Sequence, residues 1–102
     1  MAITQTLVGT SATTVYTSTN TTALTCMFFM NDNAAARTLT IHVVKNGASA
    51  STLNTIVKAI NIDGGDTYVI NMEKLVLDNG DTIQCVASAV SSIQATVSSV
   101  AI

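Results

Sequence analysis

Proline and tryptophan are absent from this chain, and only four of its 102 residues are aromatic. Charge is scarce too: 10% of residues are Asp, Glu, Lys or Arg, against about 25% in an ordinary soluble domain. Each shortage excludes something. With no Lys/Arg cluster and a formal net charge of −2, the positive footprint that nucleic-acid binding needs is missing. No apolar run reaches the length of about 18 residues expected of a membrane span. The opening Met1-Ala2-Ile3-Thr4-Gln5-Thr6 has no basic stretch followed by an apolar one. A signal peptide is therefore not expected, nor the oxidising compartment it would lead to. A single histidine, His42, leaves no second imidazole for a metal pair. It also leaves no sequence-adjacent acid to make it a general base. Nucleophile elbows, phosphate-binding glycine loops and zinc-protease motifs are all lacking. An enzyme is not expected, nor a cofactor.

What the chain does have is Thr and Ser, 26 of the 102 residues, within a composition that is 48% hydrophobic. The β-branched Thr suits a half-buried pleated surface. Lys and Glu, which favour exposed helix faces, number only three and one. Breaks come from Gly, Asn and Asp, at Gly9, Asn31-Asp32-Asn33, Asn46-Gly47, Asp63-Gly64-Gly65-Asp66 and Asp78-Asn79-Gly80-Asp81. Between them run short stretches of period-two alternation, the pattern of strands with one buried face. The expected strands are 3–8, 13–17, 23–30, 38–45, 53–62, 67–72, 82–87 and 93–100. One helical turn is allowed within 71–77, and another could begin at Asn33. The expected fold is all-β: a single antiparallel β-sandwich domain over 1–102, Ig-like or jelly-roll-like, with seven to eight strands. Residues 1–20 read equally as the domain's own edge strand or as an arm adding a strand to a neighbouring subunit.

The alternation assigns faces. Leu24, Cys26, Phe28 and Met30 are expected inward, as are Leu39, Ile41 and Val43, Tyr68, Ile70 and Met72, Ile83, Cys85 and Ala87, and Ile93, Ala95 and Val97. The stretch 53–62 resists this reading, because Ile56, Ile60 and Ile62 share a face with Lys58. Cys26 and Cys85 are expected as buried free thiols, with a core disulfide as the alternative. Asp63, Asp66, Asp78 and Asp81 read as turn residues, whose carboxylates accept from nearby amides. The alternative, a calcium site, does not match an EF-hand spacing. Met27, Phe29, His42, Val44, Val100 and Ile102 are expected outward. Outward apolar residues imply either a covered face within the domain or burial against another subunit. Tyr16, the one ring in the first twenty residues, joins this candidate interface set.

Four segments together carry a resemblance: Met1-Ala2-Ile3-Thr4-Gln5-Thr6-Leu7, Thr13-Thr14-Val15-Tyr16-Thr17-Ser18, Gly65-Asp66-Thr67-Tyr68-Val69 and the run from Glu73 to Ile83. Across nearly its whole length the chain resembles the small virion structural proteins of tailed bacteriophages, particularly marine and cyanobacterial ones. The resemblance implies a particle component assembled in the host cytoplasm. Its foremost role would be a capsid decoration (cement) protein at the capsid surface, a homo-oligomer whose partner is the major capsid protein or another virion protein. A neck, tail or baseplate protein is the second expectation, and a receptor- or carbohydrate-binding module the third. No functional residues transfer with it.

Overall fold

The structure, a computed structural model, describes residues 2–71 and 75–102. It is all-β and contains nine strands among the described residues: β1 (Ala2–Val8), β2 (Thr13–Thr17), β3 (Thr22–Asn31), β4 (Arg37–Val44), β5 (Thr55–Ile62), β6 (Thr67–Ile70), β7 (Leu75–Leu77), β8 (Thr82–Ala87) and β9 (Ile93–Ala101). They form two antiparallel sheets, ordered β1-β9-β3-β6 and β2-β8-β4-β5, with β7 joining the first beside β3. One apolar cluster takes residues from both sheets, Val8, Leu24, Met27, Phe29 and Ile93 from the first and Leu39, Ile41, Ile83 and Cys85 from the second. The sheets therefore face each other across a shared core. Full burial of side chains this large stabilises by about 1.5–3 kcal/mol each.

The strand count exceeds the expected seven to eight because of β7. Leu75–Leu77 pairs with Leu24–Thr22 at the start of β3, while β6 pairs with Met27–Met30 further along. Part of the segment allowed a helical turn is thus strand, and Met72 lies outside the described residues. Nor does a helix begin at Asn33, where the chain bends instead. Both β1 and β2 lie at sheet edges, β1 paired with β9 and β2 with β8.

Three strands depart from simple alternation. In β2, Thr14 stands opposite Gln84 and Tyr16 opposite Ile83, so Val15 is an extra residue and both Val15 and Tyr16 are buried. In β3, Leu24 faces Ser99 and Cys26 faces Ser98, making Thr25 the extra residue. Its hydroxyl donates to the Ser98 carbonyl oxygen at 3.2 Å and meets the Ser98 hydroxyl at 2.9 Å. In β5, Leu39 and Ile41 face Ile60 and Val57, and Ala59 takes φ 50° with its N–H donating to Thr40 Oγ1 at 3.0 Å. A β-bulge of this kind places two residues opposite one and shifts the side-chain parity beyond it.

The parity shift corrects several face assignments. Met27 and Phe29, expected outward, are core residues, with Phe29 fully buried. Phe28, expected inward, is 41% exposed, and Cys26 and Met30 are half-buried outside the core cluster. The bulge in β5 also resolves the conflict over Lys58. Val57, Ile60 and Ile62 pack on the core, while Ile56, Lys58 and Ala59 are exposed.

Candidate functional site

Of the residues expected at an interface, Val100 is half-buried and Ile102 is exposed. Tyr16 is buried in the core, and its hydroxyl donates to Thr22 Oγ1 at 2.9 Å. The bulge at Val15 turns that ring inward. Val44 is buried too, apart from the main apolar cluster. His42 was expected outward but is 8% exposed. Its Nδ1 lies 3.1 Å from the Ser51 carbonyl oxygen, 3.1 Å from Asn54 Oδ1 and 3.0 Å from Thr55 Oγ1. The same loop is closed by Asn54 Nδ2 donating to the Ser49 carbonyl oxygen and by Thr55 Oγ1 donating to that of Ser51. His42 fastens the segment after β4 to its own strand. Among the described residues no carboxylate or thiol hydrogen-bonds it, and its side-chain partners are the Asn54 amide and the Thr55 hydroxyl.

The thiols differ. Cys85 is fully buried, and burial pushes its thiol up to about 12. Cys26 stands half-buried beside the β3 bulge, and both cysteines are free. An apolar cavity of about 260 Å³ opens nearby, lined by Leu24, Thr25, Met27, Ile56, Val57 and Ile70 among others. Cys26 lines it too, so the cavity offers apolar packing surface and one thiol.

The Asp-Gly turns behave as turns. The Asp81 carboxylate accepts from the Asn46 N–H at 2.9 Å and the Asp78 N–H at 3.0 Å. These two amides, with the Lys45 charge adding to them, hold it below the usual carboxylate range. Gly65 and Gly80 take φ of 81° and 86°, which a side chain would resist. Among the described residues no group of three or more His, Cys, Asp or Glu could hold a metal ion.

One organising residue escaped the sequence reading. Asn31, expected only as part of a turn, is fully buried at the end of β3. Its Nδ2 donates to the Ala35 and Ile62 carbonyl oxygens, both at 2.9 Å, and its Oδ1 accepts from the Asn33 N–H at 2.9 Å. Its main chain accepts from Gly65 and donates to Asp66. It ties two loops together at one end of the sheets. Its sequence signal, an Asn closing an apolar strand, is shared by ordinary turn residues.

The two outer faces contrast. On the first sheet the outward positions include Ile3, Gln5 and Leu7 of β1, Gln94, Thr96 and Ser98 of β9, Cys26, Phe28 and Met30 of β3, and Thr67 and Val69 of β6. None is charged, and Ile3, Leu7, Phe28 and Val69 are 41–69% exposed. On the second sheet Lys58 and Asn61 are exposed and Thr40, Thr82 and Gln84 partly so, and Lys58 brings a charge. The described acidic residues, Asp32, Asp63, Asp66, Asp78 and Asp81, all lie in the loops between strands.

Compared with known proteins, the chain matches no family model, no curated protein and no solved structure.

Proposed function

We propose that this protein is a non-enzymatic structural component of a tailed-phage virion, foremost a capsid decoration protein bound to the outer shell. The observation that carries the reading is the uncharged, partly apolar outer face of the β1-β9-β3-β6 sheet. Exposed apolar side chains on an uncharged sheet face are the kind of surface that a protein contact would cover. The low overall charge fits a subunit whose surface is covered by neighbours. A protein that binds only the assembled shell stabilises it by mass action. We also read the fold as a jelly roll. Taking β6 and β7 as one interrupted strand beside β3 leaves eight strands, in the orders 1-8-3-6 and 2-7-4-5, and that architecture recurs in viral capsid domains.

Copy number in purified particles tests the reading, measured by quantitative mass spectrometry against the major capsid protein. A decoration protein is expected at about one copy per capsid subunit, or about one per three. A ratio of a few per cent would move it to the neck, tail or baseplate. The carbohydrate-binding alternative can no longer use Tyr16, whose ring is buried. It would rest on Phe28, the exposed ring opposite Thr96 and Val69, and a glycan array with no hit would remove it.

A further inference from the structure

The two sheets have four edges, and three of them carry features that discourage pairing with another chain. The β2 edge is bulged at Val15. The β5 edge has two register shifts, Ala59 at φ 50°, and Lys58. The edge opposite β9 is split into β6 and β7, of four and three residues. Bulges, edge lysines and short strands are the usual protections of a sheet edge. The fourth edge, β1, has none of them. Its seven residues, Ala2-Ile3-Thr4-Gln5-Thr6-Leu7-Val8, pair with Ser99–Ile93 of β9 in unbroken register. They contain no charge and no proline. Among the described residues, the hydrogen bonds of β1 run to β9 alone.

We propose that β1 pairs edge to edge with β1 of a second copy, antiparallel about a twofold axis at Gln5, joining the two β1-β9-β3-β6 sheets into one. The occupant follows from the sequence of the edge itself. A twofold axis through the centre of the strand places Gln5 opposite Gln5, Thr4 opposite Thr6 and Ile3 opposite Leu7 of the second copy. The cross-strand pairs are then amide with amide, hydroxyl with hydroxyl and apolar with apolar, and no like charges are opposed. Ile3 and Leu7, 69% and 50% exposed in the single chain, would cover each other. An isologous contact sets every residue near the axis against its own copy, so the absence of charge at Gln5 is what makes self-pairing cheap. The inference does not rest on the virion reading, and copy number in particles does not bear on it.

Sedimentation of the purified full chain tests it, with Gln5→Lys and Gln5→Glu as variants. Wild type is expected to sediment as a dimer. Each variant alone sets like charges opposite one another and is expected to dimerise at least about tenfold more weakly. An equimolar mixture of the two is expected to recover the dimer, and recovery also shows that both variants fold. Hydrogen exchange on wild type gives a second reading, with protection of the β1 amides rising with protein concentration. A wild type that stays monomeric up to about 100 µM would overturn the proposal. So would a dimer that survives both substitutions unchanged, or β1 amides whose exchange ignores concentration.

Discussion

β3 and β9 lie side by side in one sheet, yet only one of them can be read from its sequence. In β9 the alternation is unbroken: Ile93, Ala95 and Val97 are buried, and Gln94, Thr96 and Ser98 point away. Polar residues at every second position permit only one register, since a one-residue slip would bury them. In β3 the run Cys26-Met27-Phe28-Phe29-Met30 is apolar on both faces, so either parity satisfies the pattern. The bulge at Thr25 decides between them. A strand that alternates in composition declares its own inner face, whereas a doubly apolar strand takes its face from its neighbours.

The sharpest way to break this comparison is to truncate the adjacent rings of β3 in turn. Phe29→Ala is expected to cost about 3–5 kcal/mol, the usual loss for a fully buried Phe. Phe28→Ala should stay within about 1 kcal/mol, because the ring is already 41% exposed. Urea unfolding of both variants measures the difference. Equal losses would mean that β3 buries both rings alike. A reversed order would restore the face that period-two reading assigns.

The cysteines sharpen the same contrast. Cys85 sits in the regular strand β8 and Cys26 follows the bulge in β3. In simple alternation both thiols would be buried and inert. With the bulge, one equivalent of a small thiol reagent should label the native protein at Cys26, and Cys85 should react only after denaturation. Its full burial and the push of its thiol to about 12 both withhold the thiolate. Peptide mapping after labelling reads the outcome, and protection of both thiols would place Cys26 back in the core.

Much of the rest was legible for the reason that β9 was. The ends of β2 and β8 agree with the expected ones, and Gly65 and Gly80 mark turns because positive φ leaves few other choices. The hidden features have in common that no residue type demands them. Ala59 holds φ 50° although alanine does not favour it, and Thr25 resembles every other strand threonine. His42 and Asn31 are polar residues buried by long-range partners, the Ser51–Thr55 segment for one and the Ile62 carbonyl for the other. Period-two patterning contains no information about a loop folding back over a strand's outer face. The loop takes His42 out of the proposed interface, and the bulges at Thr25 and Val15 move it from Met27, Phe29 and Tyr16 to Ile3, Leu7, Phe28 and Val69.

The smallest expected effect contrasts the Asp81 turn with its look-alike at Asp66. Both follow a glycine of positive φ and precede a strand-opening Thr, but the Asp81 carboxylate also spans from Asp78 to Asn46 beside β4. Two backbone donors favour its ionised form, so its pKa in the folded protein lies below the ordinary 3.8. A depressed carboxylate contributes stability that is present above the unfolded-state value and lost as pH falls through the folded one. Asp81→Asn should therefore lower stability at neutral pH. Its deficit relative to wild type should shrink as pH drops below the ordinary carboxylate value. Asp81 is only partly buried, so solvent screening keeps the effect small, and pairs of thermal melts across an acid series are the measurement suited to it. If the Asp81→Asn deficit stayed constant through that series, the turn would owe its stability to shape rather than charge.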